Sequence, residues 1–361
     1  MSWKDNLRKQ VWELSLYRPF DYASARPDLI RLDANESCYP LDREDVRAFQ
    51  DEVARLPFHR YPEVSGRQLR EVLGTRWNVS PDEILLGNGS DEIIAILMTA
   101  FGGERGGRRA PILYPTPTFG EYESIALAHG AEPLPVPLDA SFQLDEAALT
   151  EAIRRSRPAL AFFATPNNPT GNRFDAAVLE RLAREMDSVL VADEAYGDVD
   201  GFTQIPRIRE VPGLFVMRSL SKIGFAALRL GALVGPRDAI SQLDKVRLPY
   251  NVNAASVAFA AAALSNPDRL NARLRRMADR RRDLEAALRA IPGLTVFPSD
   301  ANFVLLRTPG DAKVIFDRLL ERGVLVRFLS RPGPLERCLR ITAGTAEENE
   351  TCLRILREAV A

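Results

Sequence analysis

Ser188-Val189-Leu190-Val191-Ala192-Asp193-Glu194-Ala195-Tyr196 is a short apolar run that stops abruptly at an acidic pair followed by an aromatic. A run apolar on consecutive rather than alternate residues reads as a strand covered on both faces. Ile84-Leu85-Leu86, Pro111-Ile112-Leu113-Tyr114, Ala159-Leu160-Ala161-Phe162-Phe163 and Leu214-Phe215-Val216-Met217 share its form, and Gly231-Ala232-Leu233-Val234-Gly235 reads as a further strand. Helical periodicity fills the intervals, which predicts an α/β chain with a mostly parallel sheet covered by helices. Ligands of such sheets sit beyond the carboxyl ends of the strands. The segments that follow these runs are therefore where chemistry is expected.

Downstream of Tyr250-Asn251 the pattern changes. Ala254 to Leu264 is alanine-rich and Arg269 to Arg289 arginine-rich, reading as long helices whose arginines form a solvated face. Pro292-Gly293 then opens a set of strands at Leu294-Thr295-Val296-Phe297, Phe303-Val304-Leu305-Leu306 and Leu339-Arg340-Ile341-Thr342, with helices between and after. The expected organisation is an N-terminal arm over residues 1–34, partly joined to the small domain; a large domain over 35–250; and a small α+β domain over 251–361. No internal repeat, low-complexity tract or Gly/Ser linker divides the chain, so its parts are expected to pack tightly.

At 361 residues the chain is long enough to bury a sizeable core in two domains. Lys plus Arg at 48 nearly balances Asp plus Glu at 49, which leaves no net basic field for nucleic acid and points to a small-molecule partner. Cys38, Cys338 and Cys352 are far apart with no CxxC pair, so neither a metal site nor redox work is expected. The opening Met1-Ser2-Trp3-Lys4-Asp5-Asn6-Leu7-Arg8 is charged where a secretory signal needs an apolar stretch, and no segment reaches the ~20 apolar residues of a membrane span. A cytoplasmic protein is expected.

The segments after the strands carry complementary chemistry. Gly87-Asn88-Gly89-Ser90-Asp91-Glu92 opens the apolar helix that begins Ile93-Ile94-Ala95. Free N–H groups and the positive dipole end there favour a phosphate, and a plain turn with Ser90 or Asp91 as N-cap is the simpler alternative. Phe119, in Tyr114-Pro115-Thr116-Pro117-Thr118-Phe119, is placed to stack on a flat heteroaromatic ring or to join the core. Asn168, in the turn Thr165-Pro166-Asn167-Asn168-Pro169-Thr170-Gly171, can donate to a phenolic oxygen. Asp193, ending an apolar strand, needs a cation, and a protonated pyridine nitrogen is one. Tyr196 can bond the phenolic oxygen of the same ring, whereas Glu194 is read as structural.

Lys222, in Ser219-Leu220-Ser221-Lys222, completes a set that suits pyridoxal phosphate. A lysine that forms a Schiff base with this cofactor needs a carboxylate for the ring nitrogen and cationic or hydroxyl partners for the phosphate. Asp193 and Arg229-Leu230-Gly231 offer both.

Taken in order, Leu32-Asp33-Ala34-Asn35-Glu36, Arg60-Tyr61-Pro62, Gly87 to Glu92, Pro115 to Phe119, Thr165 to Gly171, Asp193 to Tyr196, Ser219 to Lys222, Arg229-Leu230-Gly231, Pro249-Tyr250-Asn251 and Arg340-Ile341-Thr342-Ala343-Gly344-Thr345 resemble the fold type I pyridoxal phosphate aminotransferases. Asn35-Glu36, Arg60-Tyr61-Pro62, Gly89 to Glu92 and Arg340 to Thr345 resemble the histidinol-phosphate aminotransferase family within them. The resemblance implies a large α/β/α domain with a smaller α+β domain. It also implies a homodimer with shared active sites, in which Tyr61 reaches the partner's cofactor phosphate while Gly89, Ser90, Asp91, Ser219, Ser221 and Arg229 hold that of their own subunit. Arg340 and Arg327 match the family's substrate-anion arginines, and Asn35 and Glu36 its substrate side. Either Phe20 or Tyr22, in Pro19-Phe20-Asp21-Tyr22, takes the place of a substrate-touching tyrosine.

The activity so implied moves an amino group between L-glutamate and imidazole-acetol phosphate, giving 2-oxoglutarate and L-histidinol phosphate, with Lys222, Asp193 and Tyr196 catalytic. An aminotransferase of aromatic amino acids and a threonine-phosphate decarboxylase are the alternatives. A binding protein on the same fold would be expected to lose Lys222 or Asp193, and both are present.

Overall fold

The computed structural model describes residues 3–14, 26 and 28–360. In chain order its strands are β1 (Ile30–Leu32), β2 (Ile84–Gly87), β3 (Glu104–Arg105), β4 (Arg108–Arg109), β5 (Pro111–Thr116), β6 (Glu132–Pro137) and β7 (Leu160–Ala164). They continue as β8 (Val189–Asp193), β9 (Leu214–Ser219), β10 (Gly231–Val234), β11 (Thr295–Val296), β12 (Phe303–Arg307), β13 (Val324–Phe328) and β14 (Cys338–Thr342). Seven of them form a sheet in the order β2-β10-β9-β8-β7-β5-β6, and five form a smaller one in the order β1-β13-β14-β12-β11. The fold class is α/β.

In the large sheet only β10 runs against its neighbours; β5 to β9 are mutually parallel, and β2 shares their direction because β10 is antiparallel to both β2 and β9. Alternate residues of these strands enter opposite cores. Phe163, Leu190, Ala192 and Val216 lie in one, while Phe162, Val189, Val191 and Met217 lie in the other. Both faces are therefore apolar, and each fully buried Phe or Leu stabilises by about 1.5–3 kcal/mol relative to exposure. The carboxyl ends at Gly87, Thr116, Ala164, Asp193 and Ser219 line one edge, and β10 enters from it at Gly231, which pairs with both Gly87 and Ser219.

β6 was not expected from the sequence because Pro133, Pro135 and Pro137 interrupt it. Here the prolines fall on alternate positions of an edge strand. The N–H groups of Glu132 and Leu138 point to β5, which puts the nitrogens of the three prolines on the open side, where no ladder bond is lost.

The two hydrophobic cores divide within a helix, downstream of the change in composition after Tyr250-Asn251. Phe259, Leu264, Leu270, Leu274 and Met277 all pack in the large-sheet core, and only from Leu284 and Leu288 does helix Pro267–Arg289 join the small-sheet core. One continuous helix spans both cores, so composition changes before packing does. At the other end β1 pairs in parallel with β13, which joins residues 30–32 to the small sheet. Among the described residues no helix is long and apolar enough to cross a membrane.

Candidate active site

The edge where β2, β9 and β10 meet gathers one group of the expected residues. Gly89 is the N-cap of helix Ser90–Phe101 with φ +85°, and no side chain caps that terminus. A Cβ on Gly231 would lie 2.5 Å from the Ser90 nitrogen, so a glycine is what lets β10 pass the helix start so closely. Arg229 donates to Ser221 Oγ at 3.3 Å and pairs with Asp91 at 3.2 Å, while Ser219 Oγ accepts from the Ser221 amide at 3.4 Å. Unmet N–H groups, two hydroxyls and a guanidinium at a helix N-terminus make a site for an anion such as phosphate.

Asp193 ends β8, buried, between two neutral donors. The Tyr122 hydroxyl donates to its Oδ2 at 2.5 Å and the Ala195 amide to its Oδ1 at 3.0 Å. Burial pushes its carboxyl up to about 6, against the pull of those hydrogen bonds and of the Lys222 charge. A buried carboxylate held by neutral donors still favours a cation beside it, as a protonated ring nitrogen would be. Phe119 stands edge-on to Tyr122 at 5.6 Å, and Tyr122 stacks on Phe162 at 4.8 Å. Glu194, on the opposite side of the strand end, turns away: it pairs with buried Arg218 at 3.2 Å and accepts from the Gln204 amide at 2.6 Å.

Three consecutive residues touch three of the expected side chains. The Asp33 carbonyl accepts from Arg340 Nη2 at 2.6 Å, the Ala34 carbonyl from Lys222 Nζ at 3.2 Å, and the Asn35 amide donates to the Tyr196 hydroxyl at 2.9 Å. Lys222 Nζ also lies 5.8 Å from the centre of the Tyr196 ring. Arg340, 7% exposed, donates to Asn168 Oδ1 at 2.5 Å, which leaves the Asn168 amide nitrogen as a donor. Arg327 sits directly opposite Arg340 in the β13–β14 register. Two guanidinium groups on one cross-strand pair repel unless an anion lies between them.

Two further expected residues, Glu36 and Tyr61, have side chains toward the surface. Glu36 pairs with Arg31 at 3.4 Å, half-exposed. Tyr61 is 81% exposed and stacks on Tyr250 at 4.7 Å, on the surface of the single chain. Tyr22 and Phe20 lie outside the described residues. Tyr122, Thr342, Asn302 and the carbonyls of Asp33 and Ala34 belong to the site and were not singled out from the sequence. Tyr122, three residues beyond Phe119, reads as a core aromatic from sequence alone, and the others act through partners far away in the chain, so none of them left a signal.

Residues 27–356 match the family described as aminotransferase class I and II. The chain is 42% identical to histidinol-phosphate aminotransferase 2 of Nitrosococcus oceani, over 97% of this chain and 96% of that protein. It is 35% identical to histidinol-phosphate aminotransferase of Aquifex aeolicus, over 98% and 97%. Among solved structures, histidinol-phosphate aminotransferase of Sinorhizobium meliloti in complex with pyridoxal-5'-phosphate superposes with a TM-score of 0.86 at 25% identity, covering 98% of this chain and 97% of that one. With a lysine, a buried carboxylate and an anion cradle at one sheet edge and relatives alike from end to end, the chain belongs to the class I and II aminotransferases, in the histidinol-phosphate aminotransferase family.

Proposed function

We propose that this chain is a cytoplasmic, pyridoxal phosphate-dependent histidinol-phosphate aminotransferase, moving the amino group between L-glutamate and imidazole-acetol phosphate in histidine biosynthesis. The observation that carries this reading is the convergence of Lys222, Tyr196 and Arg340 around the Asp33–Asn35 segment, with buried Asp193 feeling the Lys222 charge and the uncapped helix start at Gly89 on the same sheet edge. The residues fit the cofactor. Gly89, Ser90, Asp91, Ser219, Ser221 and Arg229 would hold its phosphate, Asp193 its ring nitrogen, Asn168 and Tyr196 its phenolic oxygen, and Phe119 would stack on its ring.

Bound there, the cofactor supplies an electron-poor ring and a carbonyl carbon through which an amino group passes from donor to acceptor. The chain supplies the rest. Asp193, buried at the end of its strand, would keep a proton on the ring nitrogen by ion pairing. Lys222 Nζ, as a free amine, would take the proton from the α-carbon of L-glutamate and, once protonated, return it to the cofactor's carbonyl carbon, serving as base and then acid. Arg340 and Arg327 orient the substrates by their anions, carboxylate in one half-reaction and phosphate in the other. Buried Phe303, over which the Arg340 guanidinium lies at 5.2 Å, keeps water from that ion pair.

The reading includes a homodimer with shared sites, in which Tyr61 completes the partner's phosphate site. Its support is the exposed Tyr61–Tyr250 stack, with Phe58 and Leu248 exposed in the same two segments. Mixed dimers of Tyr61→Phe and Lys222→Ala chains test it, since one of their two sites would be intact.

An amino-donor and acceptor screen on the cofactor-loaded protein tests the activity. L-glutamate with imidazole-acetol phosphate should turn over well above glutamate with phenylpyruvate, with parallel initial-rate lines. Preference for the aromatic acid, or carbon dioxide release from threonine phosphate, would overturn it.

A further inference from the structure

Asn35 stands where the N-terminal segment, the small sheet and the end of β8 meet. It is 1% exposed and has φ +54°, in the left-handed region that asparagine tolerates better than most residues. Its backbone N–H donates to Thr342 Oγ1 at 3.0 Å, its Oδ1 accepts from that hydroxyl at 3.2 Å, and its carbonyl accepts from Asn302 Nδ2 at 3.0 Å. These bonds fix the side-chain amide with its nitrogen toward Tyr196, whose hydroxyl oxygen accepts from it at 2.9 Å. Each polar group of Asn35 thus has a partner within the protein, so the residue is held in place by the fold itself.

The direction of that last bond matters. A phenol has one proton to give, and here its oxygen receives a proton from Asn35. The Tyr196 proton is therefore left for another acceptor. The ring itself is pinned edge-on to Phe303 at 5.2 Å, with Lys222 Nζ 5.8 Å from its centre. The backbone just before this contact is tied to the same machinery, since the Ala34 carbonyl accepts from Lys222 and the Asp33 carbonyl from Arg340.

We propose that Asn35 is a positioning residue that acts through Tyr196, holding the phenol so that its proton is donated into the active site toward an anionic ring oxygen of the cofactor. This rests on the function proposed above. Asn35→Asp reverses the bond, because a carboxylate only accepts and draws the phenol proton to itself. Asn35→Gly removes the bond without charge and suits the positive φ.

The experiment records the pH midpoint of the visible absorption band of the cofactor-loaded protein, with apoprotein melting curves, for the parent, both Asn35 variants, Tyr196→Phe and the Asn35→Gly/Tyr196→Phe double variant. A hydrogen bond to an anionic oxygen, once lost, raises the midpoint. An upward shift of roughly one unit is expected in each Asn35 variant, with kcat lowered more than KM is raised. In the Tyr196→Phe background Asn35→Gly should add no further shift. An unchanged midpoint in Asn35→Gly with a native melting curve would overturn the proposal, and so would the same shift with and without the Tyr196 hydroxyl, which would put Asn35 directly on the ligand. A parent protein without a visible band would instead remove the cofactor reading, and this inference with it. If Asn35→Asp does not fold, Asn35→Gly carries the test alone.

Discussion

Tyr122 and Asp193, 71 residues apart in the chain, meet in a buried hydrogen bond of 2.5 Å in which the phenol donates to Asp193 Oδ2. Burial and the neighbouring carboxylate hold the Tyr122 hydroxyl well above its ordinary pKa, so it stays a neutral donor. Its bond favours the ionised form of Asp193, the form that can pair with a protonated ring nitrogen. Tyr122→Phe is expected to weaken cofactor binding by roughly tenfold or more, the worth of one hydrogen bond to a charged group. The acid limb of cofactor binding should also move to higher pH, as read from the dissociation constant measured across pH. An acid limb that stays in place would remove the role.

The same carboxyl should tax the stability of the apoprotein. Asp193 has a folded pKa of about 6, raised from 3.8 by burial, so the folded chain holds its proton more tightly than the unfolded chain does. Stability therefore falls as pH rises from about 4 through about 6 and is flat for this group above that. Asp193→Asn removes the effect and should stabilise the apoprotein at pH 8 by on the order of 2–3 kcal/mol, with little difference below pH 4, while cofactor affinity collapses. Denaturant titrations at both pH values measure this. A variant less stable than its parent at pH 8 would show that Asp193 has a cationic partner in the apoprotein.

Lys222 contributes little to the fold, being half-buried with one hydrogen bond, to the Ala34 carbonyl at 3.2 Å. Lys222→Ala should keep apoprotein stability within about 1 kcal/mol of the parent and lose turnover. Stopped-flow exchange of the α-proton of deuterated L-glutamate separates loss of the base from loss of binding. Retained exchange would move the base to another residue.

How far the site was legible depends on how local each signal is. Asp193 and Ser219 could be read because an apolar strand ends in a polar residue, and strand ends of a parallel sheet lie together. Gly89 and Arg229 could be placed near them for the same reason. Tyr122 could not, because a tyrosine on a helix reads as core until a partner 71 residues away is known. Nor could the contact of Asn35 with Tyr196, which joins residues 161 apart through a left-handed backbone position with no glycine to mark it. β6 was hidden by prolines that only the edge position tolerates. β13 also went unread, although Arg327 within it was assigned through the family resemblance.

Arg327 and Arg340 face each other across β13 and β14, and they differ in how firmly they are held. Arg340 is buried, with Asn168 Oδ1 and the Asp33 carbonyl as acceptors, whereas Arg327 is only half-buried. An arginine already held in place loses little freedom on binding an anion, so Arg340 should carry more of the substrate affinity. Arg340→Ala is expected to raise KM for both L-glutamate and imidazole-acetol phosphate by roughly ten- to a hundredfold, the worth of a charge-assisted bidentate contact, and Arg327→Ala by less. Arg340→Lys should recover only part of the loss, because an ammonium cannot reach two oxygens and both protein acceptors in one plane. Steady-state KM values for the two substrates, taken separately, decide it. A rise for the phosphate substrate alone would mean that glutamate finds its anion partner elsewhere, and that the arginine pair discriminates between the two half-reactions instead of serving both.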